Sequence, residues 1–325
     1  MHPAFSVIFL TTLIGLGQGL FLALYTEQVY SILKVLQTQV YIEYFSKASM
    51  VSLGLLVLGL IASFFHLGHP ERAWRSATQW RTSWLSREVI VLPISMFFIF
   101  VYGCIYHFDL NATLFNVGEI PINISLIVGF IATLMTFSLY VSTRMIYASI
   151  RFLQEWHSPL TVINYTLIGV ASGFTLAAAI ASEFAPGLLN FYTGWSIALI
   201  IIAFIFRLFS LLRNKNLRPK STVQTAIGIR HSQIKQISQG SMGGSFNTRE
   251  YFHGKKESFV HSVKWIFIVM GFILPLLLLI SNFYFNDQNI LLAAVLIQYI
   301  GLLFERWYFF ADANHPQNIY YQMIS

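Results

Sequence analysis

Eight runs of about twenty apolar residues follow one another along this chain, and they decide its solvent. They lie near 4–25, 48–66, 88–106, 123–144, 160–182, 193–212, 264–285 and 290–310. A hydrocarbon core about 30 Å thick is crossed by roughly 20 helical residues. Hydrocarbon offers no partner to a free N–H or C=O, so a spanning segment is either a helix or part of a closed barrel. The runs are uniformly apolar without period-two alternation, which selects helices over barrel strands. The expected fold class is all-α: a polytopic membrane protein, a single bundle of eight transmembrane helices over residues 1–325. Composition agrees, since only 10% of residues are charged and the mean hydropathy is +0.64, whereas soluble domains carry about 25% charge. No cleavable signal pattern precedes the first run, which is expected to be retained. Gly15 and Gly19, Gly54 and Gly59, and Ala177–Ala179 are small enough to let helices approach closely.

Charge orients the bundle. The connections after spans two, four and six hold Arg72, Arg75, Arg81 and Arg87, then Arg144 and Arg151, then a long basic run from Arg213 to Lys264. The other connections hold only Lys34 and Lys47, among Glu27, Glu43, Asp109, Glu119, Glu183 and Asp287. With Arg207 and Arg306 counted as helix ends of the first group, 18 of the 20 basic residues share one side. The positive-inside rule makes that side, and both termini, cytoplasmic. The sign holds when the long loop is left out, as the rule requires. A net charge of +7 then reflects orientation and anionic lipid, not nucleic acid.

The largest piece outside the membrane is the loop at about 213–263. RNKNLRPKS is a basic helix exit stopped at Pro219, GSMGGS forms a turn, and NTREYFHGKK is dense in Arg, His and aromatic rings. A solvated, lipid-facing loop is one reading. A docking surface for a soluble partner, through Arg249, Tyr251, Phe252 and His253, is the other.

Chemistry is restricted by what is scarce. Cys104 is the only cysteine, so neither an internal disulfide nor a four-thiolate iron–sulfur cluster is available. His66, His69, His107, His157, His231, His253, His261 and His315 sit at span ends or in loops, and His2 at the terminus, so no pair is set to hold a b-type haem. No metal site is expected. No span carries paired charges at its centre, which argues against an ion-coupled transporter. The sequon Asn111-Ala112-Thr113 is taken as incidental.

The segment His66–Glu88 is the exception to this blandness. Leu67-Gly68 and Pro70 end the second span, Arg72, Arg75 and Arg81 alternate with Trp74, Trp80 and Trp84, and Ser86 is expected to cap a third span whose first turn holds Glu88. One reading is structural: arginines as inner anchors, tryptophans as an interfacial belt and Glu88 as a first-turn anion. The other is proton chemistry with a quinone, which takes up two electrons and two protons on reduction. His66 can hydrogen-bond a ring oxygen and exchange a proton near neutral pH, Glu88 can relay another, and Arg72 can clamp developing negative charge. Arg87 and the late pair Glu305 and Arg306 form a second tier, with lipid-headgroup anchoring as the rival role of Arg306.

HLGHPERAW and SWLSRE, with GLLFER in the last span, resemble the membrane-anchor subunit of DMSO-reductase-type molybdoenzymes, the DmsC family. The resemblance covers the eight-span layout and so most of the chain. It implies a haem-free anchor with no tightly bound cofactor, non-catalytic by itself, in a bacterial inner (cytoplasmic) membrane. Quinone or quinol is its exchangeable substrate. The partners implied are an iron–sulfur electron-transfer subunit and a catalytic subunit with a molybdopterin cofactor. The family's quinone-site histidine, loop arginine and carboxylate fall at His66, Arg72 and Glu88. The long basic insert with SFNTREYFHG looks more like the anchor of cytoplasmic sulfite-oxidising relatives. That insert, and the inward placement of the His66 loop, favour sulfite oxidation to quinone over S- or N-oxide reduction from quinol. A transporter or assembly factor without a redox role is the alternative from another class.

Overall fold

The computed structural model describes residues 2–36, 41–118, 120–218, 220, 222–235, 237, 251–285 and 287–316. Pro219, Glu119, the GSMGGS turn and Arg249 lie outside the described residues. Eight helices there are long and apolar enough to cross a bilayer. They are α1 Phe5–Ile32, α2 Ile42–Phe64, α3 Trp84–His107, α4 Ile124–Ala148, α5 Pro159–Phe184 and α6 Leu189–Lys215, then, beyond the short α7 Val223–Ile227, α8 Glu257–Phe285 and α9 Gln288–Ala311. All eight expected spans are helical. The helices overrun them most at the end of α1 and the start of α8, where polar residues continue the helix beyond the apolar run.

Local chemistry sets the ends. The Ser83 hydroxyl accepts from the Ser86 N–H and starts α3, so Ser83, not the expected Ser86, is its N-cap. Ser158 caps α5, whose first residue is Pro159, and Asp287 caps α9. Among the described residues the all-α bundle also carries a small antiparallel hairpin, β1 Thr113–Val117 with β2 Ile120–Asn123, between α3 and α4. Just before it, the Asn111 side-chain amide oxygen accepts from the Ser125 N–H and fastens the start of α4.

The most deeply buried helix is α1, which packs along α2, α4 and α5. Lipid is as apolar as leucine, so close van der Waals fit must hold such helices together. At the α1–α5 crossing the backbones touch. A Cβ on Gly19 would collide with the Gly169 carbonyl, and one on Gly173 with the backbone of Gly19 and Leu20. Gly271, within a π-helical turn of α8 (Val269–Ile273), meets Gly301 of α9 in the same way. Ala177, Ala178 and Ala179 are buried as expected. Gly54, by contrast, faces open space and makes no helix contact.

Gly173→Leu should therefore force α1 and α5 apart, since overpacking a tight core costs about 1–3 kcal/mol or more. Gly54→Leu should leave stability within about 0.5 kcal/mol, as exposed substitutions do. Unfolding midpoints of the two purified variants in detergent check this; equal midpoints would contradict the crossing.

Candidate functional site

The segment after α2 folds as a Leu67–Gly68 break and a 3-10 turn, Pro70–Ala77, as its Gly and Pro suggest. His66 stands exposed at the head of it, and its ring nitrogens have no hydrogen-bond partner among the described residues. Neighbouring protein still desolvates the ring enough to pull its imidazole below the ordinary pKa. Arg72 is also exposed and lies 3.6 Å from Glu71, which in turn holds His69 at 3.0 Å. At that exposure such pairs contribute about 0–1 kcal/mol. Arg87 has a structural job: its guanidinium donates to the carbonyls of Trp80 and Arg81 and lies 4.1 Å from the Trp84 ring, clamping the loop onto α3. Trp74 and Trp80 face outward, as interfacial rings do.

Glu88 is placed differently from the expectation. Because α3 begins at Trp84, it lies beyond the first turn and is not a cap anion. It points into the bundle, 8% exposed, where the Thr143 hydroxyl of α4 donates to it at 2.7 Å beside the Arg144 guanidinium. His66 and Arg72 are at the surface and Glu88 is inside, and no hydrogen bond or ion pair joins any two of the three.

Behind Glu88 lies a charged cluster that sequence alone does not assemble. Charge counting puts Arg144 in a loop and Arg207 at a helix end, yet both are buried, and so are Glu305 and Arg306. Arg306 accordingly does not reach for lipid headgroups. Glu305 sits between two cations, 2.9 Å from Arg207 Nε and 2.7 Å from Arg306 Nε. The Tyr165 ring connects the rest, with Arg144 3.8 Å and Arg306 5.1 Å from its centre. Three guanidiniums meet two carboxylates, and none of the Arg144 side-chain nitrogens has a hydrogen-bond partner. Beside this cluster a crevice of about 10 Å³, space for about one water, is lined by Asn164, Arg207, Asn214, Glu305, Arg306 and Asp312. Both amide atoms of Asn164 are buried without partners. A signal for the arginines is present in the sequence: Arg207 in FIFRLF and Arg144 in VSTRMIYA interrupt apolar stretches, and an arginine inside a spanning helix faces the bundle interior.

The expected docking segment folds back on the same end of the bundle. Tyr251 stacks on His315 at 3.9 Å, and Phe252 lies against His253. His253 is buried, accepts from the Lys255 N–H and sits 6.0 Å from the Trp307 ring, so it holds the segment down and presents little surface itself.

Removing the anion from this cluster leaves buried cations unpaired, a change that typically costs about 3–5 kcal/mol. Glu305→Gln should show a loss of that size in denaturant unfolding of the detergent-solubilised protein. Arg144→Met, which removes the surplus cation, should cost less. The reverse order would refute the charge assignment.

Comparison with known proteins adds the family. Residues 1–312 match the family model of the DMSO reductase anchor subunit (DmsC). The chain is 50% identical over 326 residues to the C subunit of sulfite dehydrogenase from Allochromatium vinosum, covering 100% of both chains. With the family matched over the helical bundle and the Glu88 and Glu305 sites alike, the chain belongs to the DMSO reductase anchor subunit (DmsC) family.

Proposed function

We propose that this anchor passes electrons and protons between an iron–sulfur partner subunit and membrane quinone, in a complex whose molybdopterin subunit oxidises sulfite. The observation that carries the proposal is the placement of a partnerless, interfacial His66 at the end of the bundle where Glu88, Arg144, Glu305 and Arg306 are buried. Sulfite and water give sulfate, two electrons and two protons; quinone takes two electrons and two protons to become quinol. The sulfite assignment rests on the sulfite dehydrogenase relative, and the inward placement of the partners on the positive-inside rule.

Each residue has a task in this scheme. His66, neutral at pH 7 because its pKa is lowered, donates its ring N–H to one quinone oxygen and, as that oxygen takes the proton, draws a replacement from water onto its other ring nitrogen, a relay that imidazolium, with both nitrogens protonated, cannot make. Glu88, hydrogen-bonded to Thr143, relays the second proton from inside the bundle. Arg72 clamps negative charge from the loop, while Arg144 is the cation beside Glu88. Arg87 holds the loop in place. Glu305, Arg306 and the polar crevice, whose lining includes Asn214 and Asp312, return protons from the basic face. The iron–sulfur partner docks on this same face, through the basic loop with Arg249, Tyr251 and Phe252 and with His253 as their support.

General acid–base groups contribute about 10²–10⁴-fold, so His66→Phe and Glu88→Gln should each lower quinone-coupled sulfite oxidation at least about 100-fold. Copurification of the three subunits and sulfite oxidation with an artificial acceptor should persist. Full quinone reduction in His66→Phe would remove the proposed role. The pH profile supplies a separate check. Turnover that needs neutral His66 is present above its pKa and lost as pH falls through it. Because that pKa is lowered, the acid limb should have its midpoint below about 6.5, the free-imidazole value.

A further inference from the structure

The buried polar groups do not stop at the basic end of the bundle. Buried polar contacts of α1 with α4 and α5 recur as an interrupted seam near the basic end, at mid-depth and at the far end, with the apolar Phe21, Ala23, Leu24 and Ala132 between the last two. Near the basic end, Tyr165 donates to the Thr11 carbonyl and Tyr140 to the Gly15 carbonyl. Deeper in, the Gln18 amide donates to the Thr136 carbonyl. At the far end the Gln28 amide donates to the Ser125 hydroxyl at 2.6 Å, Tyr102 donates to Gln28, and Glu27 is held by Ser31. From Thr143 to Ser125 along α4 is about 27 Å at 1.5 Å per residue, close to the roughly 30 Å of a hydrocarbon core.

What distinguishes this seam from ordinary packing is the row of atoms it leaves without partners. At mid-depth, Gln18 Oε1, Thr136 Oγ1 and Ser95 Oγ are all buried and make no hydrogen bond. The register of α3 on α4, set by the pairs Glu88–Thr143 and Tyr106–Ser125, puts Ser95 level with Thr136. At the far end Glu27 Oε2, on a side chain 2% exposed, is likewise unpartnered. An unpaired polar group in hydrocarbon costs several kcal/mol, and clustered unpaired groups are where proteins hold internal water. A leucine at position 18 would fill much of the same volume without that cost.

We propose that the α1–α4 seam is a water-carrying proton path linking Glu88, at the basic end, through Gln18, Ser95 and Thr136 to Glu27 at the opposite face. Protons hop along water and hydroxyl groups, with no bond to carbon made or broken and no electron transferred. Glu88 gives the quinone site its second proton and the seam refills Glu88 from the far side, so turnover displaces charge across the bilayer; with the seam blocked, the basic-face crevice refills Glu88 instead. The coupling to turnover rests on the quinone site proposed above; the path itself does not.

The test uses the purified complex in phospholipid vesicles with a voltage-sensitive dye. Wild type should build a membrane potential during quinone reduction. Gln18→Leu and Glu27→Gln should lower that signal at least tenfold while sulfite-to-quinone turnover, measured with the potential collapsed by an ionophore, is retained. An undiminished signal in both variants, or no signal in a turning-over wild type, overturns the path. A complex that reduces no quinone counts against the quinone site instead. The path is then decided by the chain alone in vesicles under a potassium–valinomycin potential: proton uptake at least tenfold faster in wild type than in Gln18→Leu supports it, and equal uptake refutes it.

Discussion

A charge inside hydrocarbon has to find its counter-charge within the protein, and this requirement organises the bundle. Arg144, Arg207 and Arg306 come from three different helices, α4, α6 and α9, and converge where Glu88 and Glu305 can answer them. Had these side chains faced lipid, each would carry a cost of at least about 2.5 kcal/mol. Gathered together, they tie α3, α4, α6 and α9 to one another at a single end of the molecule. Aromatic faces complete the arrangement: Tyr165 and Phe309 lie against the guanidinium groups of both Arg144 and Arg306.

The second constraint is steric. Gly19, Gly169 and Gly173 bring α1 and α5 into backbone contact, which centres α1 in the bundle. From that position α1 presents Thr11, Gly15, Gln18 and Gln28 to α4 and α5. Close packing and buried polarity thus have a common cause. A helix that must approach its neighbours this closely has room for small residues and for polar ones that bond across the contact.

Legibility follows the range of the physics. The spans are readable because each is a local run of apolar residues, and the His66 loop because Gly68 and Pro70 break a helix wherever they stand. The cap of α3 falls three residues before the expected one, since Ser83 and Ser86 are equally good caps and only the fold chooses. The hairpin at Thr113–Val117 and Ile120–Asn123 escapes the sequence because two short strands carry too little pattern to distinguish them from a loop. Arg144 and Arg207 count as surface charge when tallied by position; their apolar surroundings point them inward, but the local sequence does not say which carboxylates they meet.

The solvent, the number of crossings, the charge asymmetry and the family are legible in the amino-acid order, because each depends on composition within a segment or on contiguous motif residues. Tertiary structure alone decided that Glu88 turns inward to Thr143, that Glu305 is shared by Arg207 and Arg306, and that Ser95 lies level with Thr136. Glu88 and Thr143 are 55 positions apart, and Arg207 and Glu305 likewise stand on separate helices. Such pairings exist only once rotation and register are set by the packing of α1 against α5 and of α3 against α4, which no single segment encodes.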